Sequence, residues 1–211
     1  GAMLGVGQTA LTVPEAEFKW GLLRHAQVSP GFLNRDAAVE HLRTDRRFRR
    51  WQVPPEVVAG VGEAPYEHVI GELVRARAYR SGKPDAQSWI DHTPTNMKFA
   101  ATLGSLLPDA RFVHIVRDGR AVAASVRHLD WGPSTVDAAA TWWAAHVAFG
   151  LAAEATLGPE RVVRVRYETI VREPGDALSQ LRGALGLESA SDEVSTRDFA
   201  VDRYSQRQHR L

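Results

Sequence analysis

The spacing of apolar and polar residues between 111 and 125 predicts a strand, a polar turn and a helix. The run Phe112 to Val116 is rich in β-branched and aromatic residues and favours a short buried strand. The apolar period then becomes helical through Ala121, Val122 and Ser125. Because ligands of open α/β sheets collect at the carboxyl ends of the strands, we expect a binding site at this turn.

The same reasoning predicts the other elements of the chain. We expect Asn34, Thr93 and Thr135 to be helix N-caps, and Gly82 and Gly186 to end helices. The predicted helices run through residues 20–24, 34–51, 66–80, 94–106, 135–157 and 174–185. The predicted strands cover residues 4–7, 89–91, 112–116 and 161–166, and the last three are expected to be buried.

Length and composition set the broad class of the protein. With 211 residues, 44% of them apolar and 24% charged, the chain is long enough for one substantial core, and a single domain is expected. A net charge of +1 gives no reason to expect a nucleic-acid partner. The lack of cysteine excludes disulfides and thiolate metal sites.

No apolar run approaches the roughly eighteen residues of a membrane-spanning helix. The opening segment Gly1-Ala2-Met3 is typical of a cloning remnant and lacks the features of a signal peptide. A soluble, cytoplasmic protein is therefore the simplest expectation. The oligomeric state is left open.

The turn after Phe112 to Val116 carries residues that suit a phosphate. Arg117 lies at the end of the predicted strand, and Ser125 lies about two helical turns further on. A guanidinium can bind a phosphate through two parallel hydrogen bonds, and a serine hydroxyl can donate a third. The alternative is a surface turn in which Arg117 pairs with Asp118 or Asp130.

This segment resembles the 3′-phosphate signature of sulfotransferases that use 3′-phosphoadenosine 5′-phosphosulfate (PAPS). That signature is an apolar strand, Arg-Asp-Pro-Arg, and a serine eight residues after the first arginine. Arg117, Asp118, Arg120 and Ser125 match it, and Gly119 replaces the usual proline. The resemblance implies that Arg117 and Ser125 bind the 3′-phosphate of the nucleotide.

Further motifs extend the resemblance over residues 89–187. Trp89 to Pro94 is similar to a family segment containing Asp-Lys-Thr-Pro, and Tyr167-Glu168 is similar to a later Tyr-Glu element. The resemblance implies a P-loop NTPase-like α/β fold, a three-layer sandwich with a central parallel sheet and a helical cap over residues 20–85. It also implies transfer of a sulfuryl group from PAPS to a hydroxyl or amine of a small-molecule or carbohydrate acceptor, without a metal.

Val13 to Phe18 resembles the family segment Pro-Glu-Thr-x-Phe, in which tyrosylprotein sulfotransferases and bacterial relatives have a catalytic glutamate. By that resemblance Glu15 takes the proton of the acceptor hydroxyl. The alternative is that Glu15 and Glu17 stabilise the N-terminus of the following helix. For Glu17 we expect the capping role.

His92 stands where the family has a lysine that contacts the sulfuryl group and the leaving phosphate. A histidinium could replace that lysine, and a neutral imidazole could act as a base, because the pKa of histidine lies near neutrality. The alternative is a structural histidine. Lys98 is a further cation nearby in the sequence.

This sequence departs most from the family pattern at the phosphate loop. Leu4 to Gly7 resembles the strand end that leads into that loop, so Gly5 and Gly7 are candidate nucleotide-binding residues. The chain then continues directly to Gln8, without the family's Arg/Lys-Ser-Gly-Thr-Thr and helix. Either about twenty residues are missing between Gly7 and Gln8, or the protein is an inactive relative that binds adenosine 3′,5′-bisphosphate without transfer.

Two basic stretches leave alternatives open. Arginines between Asn34 and Trp51 are expected on a solvated helix face, although they could attract an anionic acceptor or the phosphates of the nucleotide. The C-terminal tail is expected to be a frayed terminus, although it could be the basic loop that closes over the 3′-phosphate in the family. The tail residues in question are Arg203, Ser205, Arg207 and Arg210.

Overall fold

The structure is a computed structural model that describes residues 4–5, 9–24, 32–61 and 64–187. The described residues form two compact units, one within residues 1–96 and 102–109 and the other within residues 97–101 and 110–211. The strands are β1 (Ala10–Thr12), β2 (Phe32–Leu33), β3 (Ala64–Pro65), β4 (Ser88–Ile90), β5 (Phe112–Val116) and β6 (Val162–Arg166). The α-helices are α1 (Phe18–Arg24), α2 (Arg35–Thr44), α3 (Tyr66–Arg80), α4 (Ala100–Leu106), α5 (Gly119–Val126), α6 (Val136–Leu157), α7 (Tyr167–Arg172) and α8 (Pro174–Leu185).

The first unit is built on a parallel pairing of β1 with β4. The register places Ala10 opposite Ser88 and Thr12 opposite Ile90, so both strands end at the same edge. Three 3-10 helices and a short antiparallel pairing of β2 with β3 complete the unit. The 3-10 helices cover Phe48–Trp51, Pro55–Val61 and, at the boundary with the second unit, Pro94–Phe99.

The core of the first unit lies between α1, α2 and α3. Phe18 packs edge-on against Phe48 and Trp51, with ring centroids 4.9 and 5.1 Å apart. Tyr66 and Leu73 from α3 are completely buried in the same cluster. Because each aromatic side chain removes a large apolar area from water, α1 is held firmly at the end of β1.

The second unit is built on a parallel pairing of β5 with β6 over all five residues of each strand. The imidazole of His114 in β5 is buried and contacts Glu154 of α6 through Nδ1 and Oε1, which are 2.6 Å apart. Glu154 also binds Arg164 of β6, and this arginine contributes most to lowering the pKa of Glu154 to about 2, ahead of His114. These contacts attach α6 to both strands.

The structure confirms the predicted α/β fold with parallel strands. Asn34 and Thr135 cap α2 and α6 through their side chains, and Gly82 and Gly186 adopt positive φ angles of 69° and 67° where helices end. The three-layer sandwich remains a prediction. Among the described residues, no helix has both the length and the apolar character required for a membrane span.

Several predicted bounds are wrong. The helix predicted over residues 34–51 ends at Thr44, because the Asp45 carboxylate accepts hydrogen bonds from the amides of Arg47 and Phe48 and forms a turn. Leu4 and Gly5 lie in a turn rather than a strand. Strand β4 is half-buried, β6 exposes Arg164 and Arg166, and β5 exposes Ile115, so none of the three is the fully buried strand expected.

A glycine substitution tests the packing of α6 against β5. A Cβ atom at Gly150 would lie 2.1 Å from Nε2 of the buried His114, so we expect Gly150→Ala to lower the free energy of unfolding by about 1–3 kcal/mol. Gly183→Ala in α8 is the matched control, because no atom lies within 4 Å of its Cβ position. Urea denaturation should show the control to be as stable as the wild type or more stable, by up to about 1 kcal/mol. Equal effects of the two substitutions would contradict this packing.

Candidate functional site

In the first unit, the parallel pairing of β1 and β4 brings the segments of Glu15 and His92 to one edge. The amide of Val13 donates to the carbonyl of Ile90 at 3.1 Å, which continues the pairing beyond β1. Glu15 follows two residues later and is half-buried, and His92 lies two residues after Ile90. Two residues that are 77 positions apart in sequence therefore follow neighbouring strand ends.

Hydrogen bonds fix the backbone beside both residues. The amide of Ala16 donates to the buried hydroxyl of Thr93 at 2.7 Å. Thr93 in turn donates through its amide and its hydroxyl to Oδ1 of Asp91. On the other side of Glu15, the carbonyl of Pro14 accepts from the indole of Trp51 at 3.1 Å. The Thr93 hydroxyl thus joins the Glu15 segment to the His92 segment.

Partial burial lowers the pKa of the His92 imidazole, and the negative charges of Asp91 and Glu15 oppose this effect. A lowered pKa favours the neutral imidazole near neutral pH. In that state His92 can donate a hydrogen bond from one ring nitrogen and accept one at the other.

Sequence reasoning missed Lys19, which lies beneath this site and is only 1% exposed. Its ammonium donates to Oδ2 of Asp91 at 2.7 Å and to Oδ1 of Asn96 at 2.6 Å. Burial alone would raise the pKa of Asp91, but Lys19 and Thr93 outweigh burial and lower it. Burial lowers the pKa of Lys19, against the opposing effect of Asp91. The apolar neighbours Phe18 and Leu22 on the same helix were the available signal that Lys19 lies on the buried face.

Glu17 directly precedes α1, so the capping role expected for it remains a prediction, and its side chain makes further contacts. Its carboxylate accepts a hydrogen bond from the hydroxyl of Thr95 at 2.8 Å and lies 3.6 Å from Nη1 of Arg47. Thr95 also accepts from the indole of Trp20 at 2.9 Å. Glu17 therefore contributes to the contacts that hold α1 against the segment after β4.

In the second unit, β5 is followed by the polar turn that the sequence predicted, and α5 begins at this turn. Asp118 caps α5 by accepting from the amide of Arg120, and its carboxylate also pairs with that guanidinium at 2.6 Å. The Arg120 hydrogen bond is the main reason that the pKa of Asp118 is well below its ordinary value. The amide of Asp118 donates to Glu168 at 2.9 Å, and the carbonyl of Arg117 accepts from the indole of Trp143 at 3.0 Å.

The Arg117 guanidinium lies over the ring of Tyr167, 4.5 Å from its centroid. Within the described part of the chain, no carboxylate lies within ion-pair distance of Arg117, so the alternative pairing with Asp118 is not formed. An open surface cavity of about 400 Å³ adjoins this arginine. Its lining residues are Arg117, Ala121, Tyr167, Glu168, Val171 and Arg172.

The structure explains why glycine stands at position 119, where the family signature has proline. A Cβ atom on Gly119 would lie 3.0 Å from Cδ2 of Trp143, closer than ordinary van der Waals contact. The same indole binds the carbonyl of Arg117. Gly119 therefore allows Trp143 to pack against the turn and to hold it.

The remaining predicted site residues are placed as follows. Ser125 is half-buried in α5, two turns beyond Arg117. Gly5 is buried against Thr12, and its carbonyl accepts from the ammonium of Lys83 at 2.7 Å. Gly7, its junction with Gln8 and the basic tail from Arg203 to Arg210 lie outside the described residues.

Two other basic residues that the sequence pointed to have partners in the structure. Of the arginines after Asn34, Arg43 pairs with Glu40 and Glu56 on the surface. Lys98 lies over the ring of Phe149 at 5.8 Å. Among the residues the structure describes, no cluster of three or more histidine and carboxylate side chains could hold a metal ion.

The buried pair of Lys19 and Asp91 predicts a pH-dependent stability. The folded-state pKa of Asp91 is below its ordinary value, so the pair stabilises the fold above that value and this contribution is lost in acid. In Lys19→Met, the effect of burial dominates and raises the pKa of Asp91. Acid then protonates Asp91 and removes the unpaired buried charge, which makes the variant relatively more stable. We expect the variant to be less stable by about 3–5 kcal/mol near neutrality and the difference to shrink between about pH 6 and about pH 3.

Urea denaturation across this pH range measures the effect. Lys83→Met is the matched control, because the Lys83 ammonium bonds to the carbonyls of Gly5 and Ala10. The control should lose stability by an amount that does not change over the same range. A pH-independent loss in Lys19→Met would contradict the assigned ion pair.

Comparison with solved structures shows which fold the two units belong to. The sulfotransferase domain from the Curacin Biosynthetic Pathway matches with a TM-score of 0.60 and 17% identity, over 89% of this chain and 68% of that chain. The sulfotransferase domain from the Synechococcus PCC 7002 Olefin Synthase matches with a TM-score of 0.55 and 19% identity, over 93% and 78%. At these identities the similarity establishes the fold alone.

A comparison with curated proteins finds no match. The sequence profile described as the Sulfotransferase family matches residues 15–192, which is most of the chain. The matched range includes Glu15, His92, Arg117 and Ser125. The chain therefore belongs to the sulfotransferase family, as its motifs indicated.

Proposed function

We propose that this protein transfers a sulfuryl group from PAPS to a hydroxyl or amine of a small-molecule or carbohydrate acceptor. Membership of the sulfotransferase family supports sulfuryl transfer in general. The observation that supports the donor most directly is the Arg117 guanidinium, which lies at a strand end beside a cavity and without a carboxylate partner among the described residues. An anion is the natural ligand of such a group.

The residues around the cavity fit a phosphorylated nucleoside. Arg117 and Arg172 supply two guanidinium groups for a phosphate, and Tyr167 supplies an aromatic ring. Oε2 of Glu168 is buried and makes no hydrogen bond among the described residues, and its nearest cation is Nε of Arg166 at 3.7 Å. The anionic group of a ligand would bind the two guanidinium groups, and a hydroxyl or amino group of the same ligand would donate to Glu168. We propose that Arg117 binds the 3′-phosphate of the donor together with Ser125, which lies two turns further along the chain in α5 and is not among the residues that line the cavity.

PAPS would supply an activated sulfuryl group with adenosine 3′,5′-bisphosphate as its leaving group. Glu15 takes the proton of the acceptor during its in-line attack on sulfur. His92, kept neutral by its lowered pKa, donates a hydrogen bond from its ring N–H to the developing negative charge. Gly5 and Gly7 belong to the segment that approaches the 5′-phosphosulfate. In the family, the phosphate loop that binds this group follows directly after the position of Gly7.

The proposed organisation is a single sulfotransferase domain with a P-loop-like sandwich. Residues 89–187 supply the nucleotide-binding core, and residues 20–85 supply a helical cap with acceptor contacts. Trp20 would contribute aromatic surface if the cap contacts the acceptor, although its indole N–H already binds Thr95. Trp51 is buried in the core of the first unit and has no surface for an acceptor. We assign no acceptor class narrower than a compound with a hydroxyl or an amine.

Ligand-dependent thermal stability tests the nucleotide site. We expect adenosine 3′,5′-bisphosphate at about 100 times its Kd to stabilise the protein by about 2.7 kcal/mol, and ADP or ATP to have little effect because both lack a 3′-phosphate. Arg117→Ala should abolish the shift. Arg111→Ala is the matched control at the other end of β5, where Arg111 bonds to Ala184, and it should keep the shift. An unchanged shift in Arg117→Ala would refute the assignment of this arginine.

Transfer of radiolabelled sulfate from PAPS to a panel of phenols, sugars and amines tests the reaction. We expect Glu15→Gln to lower kcat by about 10²- to 10⁴-fold, because a general base contributes this much, with little change in nucleotide binding. Glu17→Gln is the control and should keep the wild-type kcat, because the Glu17 carboxylate contacts Thr95 and Arg47. Nucleotide binding without transfer by the wild type would instead favour an inactive relative.

A further inference from the structure

Lys19 is a cation that no ligand can reach. Its side chain is buried, and its ammonium lies between the carboxylate of Asp91, the amide oxygen of Asn96 and the ring of Trp20, whose centroid is 4.6 Å away. These contacts use the ammonium within the protein. Any effect of Lys19 on a reaction must therefore act through the groups that it holds.

The groups around Lys19 form a closed chain of contacts. Lys19 holds Oδ2 of Asp91, Oδ1 of the same carboxylate binds Thr93, and the Thr93 hydroxyl binds the amide of Ala16. Ala16 leads directly into the helix that carries Lys19. His92 lies between Asp91 and Thr93, and Glu15 immediately precedes Ala16, so each is joined through the backbone to a residue of this ring of contacts.

Stability alone is a weak reason for such an arrangement. A buried ion pair contributes no more to stability than well-packed apolar residues of similar volume. The ion pair adds a geometric constraint, because its hydrogen bonds require a fixed distance and angle between the two backbone segments that carry the partners. Here the constrained segments are the two that carry Glu15 and His92.

We infer that Lys19 is a positioning residue, and that its ion pair with Asp91 sets the distance between Glu15 and His92. This inference rests on the proposed function for its catalytic meaning. The distance itself is a property of the protein and can be measured without any transfer reaction. An apolar side chain at position 19 could fill the space but could not fix this distance.

The electrostatic effect of Glu15 on His92 reports their separation. The imidazole pKa of His92 can be followed by NMR, with its signal identified by loss in His92→Gln. Because the carboxylate of Glu15 raises this pKa, Glu15→Gln should lower it in the wild-type background. The carboxylate of Asp91 also raises it, so each background must be compared with its own Glu15→Gln partner.

Two backgrounds separate positioning from simple loss of stability. Lys19→Met/Asp91→Asn removes both charges, so it avoids an unpaired buried carboxylate that could unfold Lys19→Met alone. We expect Glu15→Gln to shift the pKa of His92 in this double variant by less than half of the wild-type shift. Lys83→Met should keep the full shift. An equal shift in all backgrounds, or no shift in the wild type, would overturn the inference.

Kinetics then link the distance to the reaction. The double variant Lys19→Met/Asp91→Asn should lower kcat by about 100-fold, because small misplacements of reacting groups have effects of this size, and change the KM for PAPS by less than about twofold. Arg111→Ala, which removes a bond to the carbonyl of Ala184, should keep its kcat. An unchanged kcat in the double variant would overturn the inference. A wild-type protein without any transfer would refute the proposed function alone, since the NMR comparison still decides the role of Lys19.

Discussion

The ion pair of Lys19 with Asp91 is the interaction on which the arrangement of Glu15 and His92 depends. Parallel pairing of β1 with β4 brings the two segments to one edge, but backbone pairing ends at Val13 and Ile90. Beyond that point, side chains set the geometry. Burial makes each of these hydrogen bonds strong and makes an unpaired partner costly, so the ring of contacts is kept intact as a unit.

The second unit uses a different device to present its arginine. The carbonyl of Arg117 is held by Trp143, and the next amide is held by Glu168, so the backbone of the turn is fixed from two sides. The guanidinium is then left to stack on Tyr167. Both sets of contacts fix the backbone near a strand end beside residues that the proposed function uses, which suits a reaction that depends on positioning.

Local patterns predicted the elements of this fold well, and long-range contacts were beyond them. Strand β5 is rich in β-branched and aromatic residues, helix α6 is rich in alanine, and Asn34 caps its helix as expected. Strand β1 has only three residues, too few for a period to show, and its register with β4 depends on contacts about 78 residues away. Lys19 was missed because lysine is rarely buried, and its partner Asp91 is distant in sequence. The contact of Gly119 with Trp143 depends equally on tertiary structure.

The most direct test of this account is a crystal structure of the protein with adenosine 3′,5′-bisphosphate. We predict that the 3′-phosphate oxygens lie about 3 Å from the guanidinium nitrogens of Arg117 and from the hydroxyl of Ser125. A nucleotide bound elsewhere, with its 3′-phosphate away from both side chains, would contradict the account.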